Sequence, residues 1–393
     1  MSGMLGRRLM RFCAIVFAAG VSALTVTGCS ARTTSSRAEF PASSFSNVSC
    51  TASGATADRV YRLSGADSSG TADDTQAIQA AINAAAVAGG GIVYLPAGRY
   101  LVDGHLVLKS NVKLEGAGSG TIIKAGPGFF TTTGPDGGFP LITTAGARNV
   151  TISDLTADQS GNTLNANAYQ PARLSAYLID VRDSVNVVVV GVHTVNPFTY
   201  SIAVVGSSDF CVSRCRTQVA TSGLYDELDG IHVLDSHDGQ VIGNNVDQRI
   251  GTDGDDGLVA HTVNAPLYDV LYADNTVRGG DGGDGMQLAV GRFPIFDVTV
   301  RDNDFWGSPY GIRTGHWGTG AAGALWDISI TGNDIHELVP GKAFPHGGNA
   351  INIGGFGVGP ISDVDVTGNS ICSAGTIIMA RGKNNLVSDN HYC

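Results

Sequence analysis

A three-residue pattern recurs six times in the second half of the chain. It consists of a polar or aromatic residue, then a small residue, then an apolar residue. Its copies are separated by 29, 27, 28, 26 and 39 residues, so only the last step requires an inserted loop. Self-similarity at a period of roughly 20–50 residues is the signature of a solenoid, in which each repeat packs on its neighbours. The copies begin at Tyr200, Asp229, Asp256, Asp284, Tyr310 and Asn349.

A second pattern, interleaved with the first, is an asparagine that follows a β-rich run. Asparagine side chains stacked on successive coils can satisfy backbone groups at a turn. The repeats supply only two or three short strands each, fewer than the four of a propeller blade. The chain is therefore predicted to be an all-β protein, a single-stranded right-handed parallel β-helix. The asparagines of this pattern are Asn244, Asn275, Asn303, Asn333, Asn369 and Asn390.

One stretch has helical periodicity, at residues 73–88, where two isoleucines fall on one face. Asp73 or Asp74 can cap its N-terminus. We expect this helix to close the N-terminal end of the solenoid and to cover an otherwise open sheet edge. The β-helix domain is assigned to residues 63–393.

The first 62 residues have the character of an export signal and a tether. Residues 1–28 combine a basic start with a short apolar run and predict a lipoprotein signal peptide. Small residues precede Cys29, which is the predicted lipidation site. Residues 29–62 are rich in Ser, Thr and Ala and predict a flexible tether. We expect an exported protein, lipid-anchored on the outer face of the cell membrane or secreted.

The charge of the chain restricts its partners. The net charge is −11, and removal of residues 1–28 leaves 21 basic against 35 acidic side chains, a net charge of −14. Nucleic-acid binding requires a basic face, so no nucleic-acid partner is expected.

Two cysteines keep the same distance from the asparagine pattern. Cys372 follows Asn369 by three residues, and Cys393 follows Asn390 by three. They would occupy the same position on adjacent coils, about 4.8 Å apart, which lies within the range that a disulfide spans. Because exported proteins keep disulfides, we predict a Cys372–Cys393 bond. The pairing of the remaining cysteines stays open.

Acidic residues form a column across the repeats. Asp229, Asp256 and Asp284 begin three successive copies of the first pattern, and Asp255 adjoins Asp256. Carboxylates on adjacent coils lie about 5 Å apart, and on alternate coils about 10 Å apart. Like charges this close raise at least one pKa, which prepares a general acid beside a base. Two such carboxylates are the requirement for glycosidic cleavage, with retention or inversion.

Strand alternation predicts which neighbours share the outer face with the acids, because successive side chains point to opposite faces. Two histidines, His261 and His316, also flank the carboxylate coils. The candidate substrate-binding residues are His232, His261, Asp284, Gln287, Arg313, His316 and Trp317. Three aromatic residues are candidates for a sugar-stacking platform, namely Trp306, Tyr310 and Trp317.

Two stretches carry a resemblance to a known family. The sequence GTADDT at residues 70–75 and GIVYLPAG at residues 91–98 resemble the start of the pectate-lyase-superfamily, or rhamnogalacturonase/epimerase-like, β-helix. The resemblance covers residues 63–393. Further on, the chain is similar to polygalacturonase-type glycoside hydrolases, which carry Asn-Thr-Asp, Asp-Asp, Gly-His-Gly and Arg-Ile-Lys on four successive coils. The corresponding coils here carry Leu-Asp-Gly, Gly-Asp-Asp, Gly-Asp-Gly and Ile-Arg-Thr.

The resemblance transfers roles to four residues of this chain. It implies that Asp256 is the acid, that Asp229 and Asp255 hold the attacking water, and that Arg313 binds substrate. The histidine of the family is replaced by Asp284, and its lysine is missing. The missing cation and the acidic net charge favour a neutral or weakly charged glycan. The expected function is cofactor-free hydrolysis of a polysaccharide or cell-wall glycan.

Several alternatives stay open. A polysaccharide lyase or epimerase on the same fold would need a basic residue, for which Arg292 and Arg313 are candidates, and usually calcium. A non-catalytic glycan-binding surface protein would share the fold, and the acids could be turn residues. Residues 279–286 match one calcium-binding nonapeptide, so Ca²⁺ is a possible ligand. Such nonapeptides act in tandem every nine residues, whereas the similar stretch here is 28 residues away.

Overall fold

In the part of the chain that the structure describes, the coils build three parallel sheets, and every coil except the first and the last contributes one strand to each. The computed structural model describes residues 50, 59–129, 140–161, 177–219, 228–249, 252, 254–317, 320–373 and 378–393. Parallel strands of the same sheet come from successive coils, so the chain winds as a right-handed parallel β-helix, as predicted. The predicted signal peptide at residues 1–28 and the predicted lipidation site Cys29 lie outside the described residues.

The first sheet has twelve strands and begins each coil. They are β1 (Val60–Arg62), β3 (Gly91–Leu95), β6 (Val112–Gly116), β9 (Arg148–Ser153), β12 (Val185–Val190), β15 (Ser208–Ser213), β18 (His237–Ile242), β21 (Leu267–Ala273), β24 (Ile295–Arg301), β27 (Leu325–Thr331), β30 (Ile361–Thr367) and β33 (Leu386–Ser388).

The second sheet also has twelve strands, and each of them follows a first-sheet strand after one turn of the chain. They are β2 (Ser69–Asp73), β4 (Gly98–Val102), β7 (Thr121–Ala125), β10 (Thr156–Asp158), β13 (His193–Val195), β16 (Arg216–Gln218), β19 (Asn245–Asp247), β22 (Thr276–Arg278), β25 (Asp304–Trp306), β28 (Asp334–His336), β31 (Ser370–Cys372) and β34 (His391–Tyr392).

The third sheet has ten strands and completes each coil. They are β5 (Leu106–Val107), β8 (Ile142–Thr143), β11 (Ile179–Arg182), β14 (Ile202–Val205), β17 (Ile231–Leu234), β20 (Leu258–His261), β23 (Met286–Val290), β26 (Ile312–His316), β29 (Ile351–Ile353) and β32 (Ile378–Ala380). A short 3₁₀ turn, Gly118–Gly120, lies between β6 and β7.

The one α-helix among the described residues takes the place of a third-sheet strand in the first coil, directly after β2. This helix, α1 (Thr75–Val87), buries Ile78, Ile82 and Ala85 against the first coils and so closes the end of the solenoid. The Asp73 carboxylate accepts the N–H of Thr75 at 2.9 Å. The side chain of Asp74, the other cap candidate, makes no cap hydrogen bond.

The interior of the solenoid is filled by apolar side chains from all three sheets. In the third sheet, Ile231, Leu258, Met286 and Ile312 occupy one inward row and are fully buried. The alternation predicted for these strands is confirmed, since the next residue of each strand lies on the outer face. The β-helix therefore presents a fixed row of outward side chains along this sheet.

The asparagine pattern forms a hydrogen-bonded ladder along the turn between the first two sheets. From Asn275 onward, the Oδ1 of each asparagine accepts the backbone N–H of the asparagine one coil before it, at 2.9–3.0 Å. It also accepts that residue's Nδ2–H, at 2.8–2.9 Å. The predicted stack is confirmed, and it pins the register of the later coils. Its members are Asn244, Asn275, Asn303, Asn333, Asn369 and Asn390.

Disulfides join two pairs of coils. The predicted Cys372–Cys393 bond is present, with Cα atoms 4.8 Å apart. A second bond joins Cys50 to Cys211 of β15. Cys215 is a free thiol buried in the core.

The solenoid begins before the predicted domain boundary at residue 63. Strand β1 pairs in parallel with β3, so Val60–Arg62 belong to the first sheet although they were assigned to the tether. Cys50, in the same assigned segment, is fastened to β15. Among the described residues, none of the helical segments has the length and apolar character that crossing a membrane requires.

Candidate active site

Three carboxyl groups line up at the bends where β17, β20 and β23 begin. Asp229, Asp256 and Asp284 each precede a glycine, and this spacing has a steric cause. A Cβ at Gly230 would lie 2.4 Å from the carbonyl oxygen of Gly257 on the next coil, so the coils approach too closely for a side chain there. The Asp–Gly pair therefore stacks carboxyl groups on successive coils.

Each of these carboxyl groups is tied to the coil that follows. Asp229 Oδ1 accepts the backbone N–H of Asp256 at 3.1 Å, and Asp256 Oδ1 accepts the N–H of Asp284 at 2.7 Å. These bonds compensate part of the cost of burying three acids. One oxygen of Asp229 and one oxygen of Asp256 therefore have the structural role that the turn-residue interpretation gives them. The second oxygen of each carboxyl group remains for other contacts.

The three predicted catalytic residues come together in one pocket. Oxygens of Asp229, Asp255 and Asp256 lie within 4.8 Å of one another. All three line a pocket of about 300 Å³ outside the third sheet. Asp229 and Asp256 are buried, whereas Asp255 is half-buried. The group can therefore act jointly on a molecule in the pocket.

Burial raises the pKa values of Asp229 and Asp256, and repulsion adds to the shift at Asp256. The pKa of Asp256 lies well above its usual value, first because the residue is buried and then because of the charges of Asp255, Asp284 and Asp229. Burial raises the pKa of Asp229 to about 7, against the opposing effect of its bond from the Asp256 N–H. Both shifts favour the protonated form, and they make Asp229 and Asp256 suited to proton transfer.

A histidine pair extends from Asp229 along the pocket wall. His232 Nδ1 lies 2.7 Å from Asp229 Oδ2, and its Nε2 lies 3.1 Å from Nδ1 of His261. Burial lowers the pKa of both histidines to about 3, so both rings are neutral. With Asp229 as acceptor, the network assigns Nδ1–H to both rings. His261 Nε2 is then an acceptor, and it has no hydrogen-bond partner among the described residues.

The burial of His232 has a visible cause. It lies on the outward row of the third sheet but is only 3% exposed. The Tyr200 ring stacks on it at 4.2 Å, and Tyr177 stacks on Tyr200 at 4.8 Å. Aromatic cover therefore holds the imidazole in place and excludes water from its bond to Asp229.

The cation of the site is enclosed and neutralised. Arg313 Nε donates to Asp284 Oδ2 at 2.6 Å, and both residues are almost fully buried. The guanidinium also faces three rings, Tyr310 at 5.6 Å, Phe344 at 4.9 Å and Phe356 at 4.6 Å. Arg313 lines the pocket, but its charge is already balanced by the carboxylate beneath it and by the ring faces.

Asp284 serves Arg313 rather than the pocket. It is 0% exposed, and its Oδ2 also lies 3.4 Å from Nε2 of Gln287, which does line the pocket. Burial raises the pKa of Asp284, and Arg313 acts against that increase. The prediction that Asp284 contacts substrate is therefore replaced by a role as the counter-ion that orients Arg313.

Other predicted contacts separate in the structure. His316 Nδ1 donates to the carbonyl of Val290 at 2.9 Å, and the residue is not among those lining the pocket. The three-ring platform does not form. Trp306 lies on the second sheet under Arg278, and Tyr310 packs on Arg313. Trp317 alone of the three lines the pocket, half-exposed.

Residues that the sequence patterns did not identify also line the pocket. Tyr200 begins one copy of the first pattern, a position that could have indicated it. Ala343 and Phe344 come from the loop inserted in the 39-residue step. That loop is held by the backbone N–H of Lys342, which donates to the carbonyl of Asp281 at 2.7 Å. The position of an inserted loop is not given by repeat alignment.

Two carboxylates of the calcium-binding nonapeptide have partners within the protein. Asp284 Oδ2 is bound by Arg313, and Asp281 Oδ1 accepts the N–H of Lys342 at 3.2 Å. A calcium ion at these two oxygens would compete with both contacts. Among the described residues, two groups have oxygens or nitrogens close enough for a metal, the pocket triad and an outer group of Asp304, Asp334 and His336.

The fold and the pocket define a class: a right-handed parallel β-helix protein with a carboxyl-lined pocket outside its third sheet. The profile of the family described as rhamnogalacturonase A/epimerase, pectate lyase-like, matches residues 60–335. The chain belongs to this family.

Curated relatives match over shorter stretches. Mannuronan C5-epimerase AlgE1 of Azotobacter vinelandii is 46% identical over 110 residues, which cover 26% of this chain and 8% of the relative. Alginate lyase 7 of the same organism is 55% identical over 73 residues, 16% of this chain and 8% of the relative. The chain thus matches under a tenth of the length of these two relatives.

Solved structures share the fold over most of the chain. The exopolygalacturonase of Thermotoga maritima superposes with a TM-score of 0.59 and 18% identity. The superposition covers 86% of this chain and 91% of that enzyme. At this identity the likeness establishes the β-helix fold and no more.

Proposed function

We propose that this protein is an exported glycoside hydrolase that degrades a polysaccharide. The observation that supports it is the cluster of Asp229, Asp255 and Asp256 in one pocket, where burial and neighbouring charges raise the pKa of Asp256 well above its usual value. General acid–base catalysis requires one group that holds a proton and another that accepts one near the working pH. The different pKa shifts of Asp256 and Asp229 provide that pair.

In the proposed reaction, Asp256 donates its proton to the glycosidic oxygen as the bond to the anomeric carbon breaks. A water held by Asp229 and Asp255 attacks that carbon and gives a proton to the Asp229 carboxylate. Two donors, His232 Nδ1–H and the Asp256 N–H, hold Asp229 in place. The proton gained by Asp229 and the one lost by Asp256 then exchange with solvent, which restores the starting state.

The charge of the pocket supports a neutral or weakly charged glycan. Three carboxyl groups line the pocket, and the cation among its lining residues, Arg313, is paired with Asp284. A uronate carboxylate in the pocket would meet repulsion from the acids without an uncompensated cation to offset it. Trp317, which is half-exposed at the pocket, offers an apolar ring face for a sugar.

A lyase or epimerase acting on a polyuronate is the second candidate, because the curated relatives include mannuronan epimerases and an alginate lyase. Its chemistry needs a base beside the uronate α-carbon. His261 Nε2 is a neutral acceptor on the pocket wall and is the group suited to that step. Arg292, named earlier for this role, is exposed and packs on Phe293, and it is not among the pocket-lining residues.

One assay panel separates these functions. Purified protein is incubated with xylan, β-glucan, galactan, bacterial cell-wall glycans, polygalacturonate and alginate. New reducing ends without ultraviolet absorbance support hydrolysis, whereas absorbance of an unsaturated bond supports a lyase. A change in the NMR signal of the uronate C5 proton without chain cleavage supports an epimerase. Binding without any of these changes supports a non-catalytic surface protein.

Export and anchoring are part of the proposal. They rest on the basic start, the apolar run and the small residues before Cys29. Growth with labelled palmitate should mark the protein, and Cys29→Ala should abolish the label and release the protein to the medium. Membrane retention of the unlabelled variant would rule out the lipid anchor.

A further inference from the structure

A column of stacked aromatic rings runs along the outer face of the first sheet. His237, Tyr268, Phe296 and Trp326 occupy matching positions on four successive coils. Their ring centroids are 4.6, 5.0 and 4.6 Å apart, and neighbouring rings are within 8° of parallel. The coil spacing of about 4.8 Å is also a stacking distance, so the column follows directly from the register.

The column ends at Trp326. The residue that pairs with Trp326 on the next coil is Ser362. Ser362 pairs in turn with Lys383 on the coil after that. A hydroxymethyl group replaces a ring at Ser362, so the side of the indole away from Phe296 has no ring against it. A cavity of about 510 Å³ opens here, lined by Trp326, Ser362 and Lys383 together with backbone and apolar atoms of the neighbouring loop.

We propose that this cavity, the Trp326 cavity, is a second glycan-binding site that takes one pyranose ring in the place of the missing ring of the column. The C–H face of a sugar is apolar and flat enough to stack on an indole, and its hydroxyls project from the rim. Ser362 and Lys383 stand at that rim as donors for those hydroxyls. The choice of a sugar as occupant rests on the proposed function.

The Trp326 cavity is separate from the catalytic pocket. It lies outside the first sheet between β27 and β30, whereas the acids lie outside the third sheet at β17 to β23. A bound sugar there makes no contact with the reacting bond. The site would therefore raise affinity for a long polymer, which can reach both places or be held while the pocket acts, and would leave turnover of short substrates unchanged.

Packing alone is the competing explanation for the column, and exposure distinguishes its members. Phe296 is 5% exposed and is enclosed between two rings, as a packing residue would be. Trp326 is half-buried: its indole stacks on Phe296 and also lines the cavity. A change at Phe296 should therefore lower stability, whereas a change at the open end should affect binding.

The test is affinity electrophoresis of the full protein in gels that contain xylan, β-glucan, galactan, alginate or polygalacturonate. We expect at least one of these polymers to retard the wild type. In that gel, Trp326→Ala should weaken binding by about tenfold, and Trp326→Phe should keep most of it. Tyr392→Ala, at an exposed aromatic residue of the second sheet, is the matched control and should bind as the wild type does.

A second variant covers the case in which Trp326→Ala does not fold. Ser362→Phe continues the column by one ring and fills the cavity, so it should keep or raise the melting temperature while it weakens retardation as much as Trp326→Ala does. Unchanged retardation of folded Ser362→Phe, or no retardation of the wild type by any polymer, would overturn the site. Retardation without cleavage would instead count against the hydrolase and leave the binding site standing.

Discussion

His232 donates its Nδ1–H to Asp229 Oδ2 across 2.7 Å, inside a wall of stacked rings that keeps water away from the bond. The other oxygen of Asp229 accepts the backbone N–H of Asp256 at 3.1 Å. Asp229, which we assign as the base, is thus held at both carboxyl oxygens. The second donor is the backbone N–H of Asp256, the residue that we assign as the acid. The network couples the position of the base to that of the acid.

Asp256→Asn should reduce turnover of the cleaved glycan by about 100-fold or more, because the variant has no proton to donate. The asparagine Oδ1 can still accept the N–H of Asp284, so the melting temperature should stay the same or rise slightly as a repelling charge is removed. Melting curves and reducing-end assays measure both. A destabilised variant with full activity would show that the residue is structural.

Removing the donor at residue 232 should shift the pH dependence of the reaction. His232→Leu deletes the bond to the charged form of Asp229, so the pKa of Asp229 should rise above its value of about 7. The acidic limb of the kcat profile should then move to higher pH. His232→Asn keeps an N–H near the position of Nδ1 and should restore much of the profile. Identical profiles for the leucine variant and the wild type would contradict this role.

Asp229 should lower stability progressively between pH 4 and 7. Its pKa is about 7 in the folded protein, above the ordinary value of 3.8, so its contribution is fully present below pH 4 and is lost as pH rises to 7. His232 and His261, with pKa values lowered to about 3, act in the opposite direction between pH 3 and 6.5. Because the histidines are common to both proteins, the melting temperature of Asp229→Asn relative to the wild type should rise from pH 4 to 7 and stay constant above pH 7. A difference that does not change with pH would contradict the raised pKa.

Arg313→Met should destabilise the protein by about 3 kcal/mol or more, because it leaves Asp284 buried without its counter-ion. The double variant Arg313→Met, Asp284→Asn should recover most of that loss, since it removes the uncompensated charge. Denaturant unfolding of the two single variants and the double variant measures the coupling. Additive effects of the two changes would show that the pair is not coupled.

Cys215 should resist alkylation in the folded protein. Its thiol is buried, and burial raises its pKa to about 12, so almost no thiolate forms at pH 8. Peptide mapping after iodoacetamide treatment should show Cys215 unlabelled before unfolding and labelled after it. The same map should recover the Cys50–Cys211 and Cys372–Cys393 pairs. Rapid labelling of Cys215 in folded protein would place it outside the core.

The sequence predicted what depends on the repeat itself. The asparagine ladder, the Cys372–Cys393 bond and the inward row of the third sheet all follow from a constant coil length and from alternation along each strand. The stacking of Asp229 and Asp256 follows for the same reason, since an Asp–Gly bend recurs on three successive coils.

Side chains whose surroundings come from outside their own repeat were predicted less well. Arg313 is enclosed by Phe344 and Phe356, which belong to segments without counterparts in other coils, and this enclosure turned Asp284 into a counter-ion. Trp306 was grouped with Trp317, although the two lie outside different sheets. Repeat alignment gives the coil on which a residue lies, but not which residues of distant loops fold over it.

The Cys50–Cys211 bond has a mechanical consequence. Cys211 lies in the sixth of the twelve first-sheet strands, so Cys50 is fastened to the flank of the solenoid near its middle. A pull on Cys50 is carried by the covalent bond into β15 instead of into the first coil and its helical cap. In the reduced protein the same pull would act on β1, which is the end from which parallel coils can be peeled away one at a time.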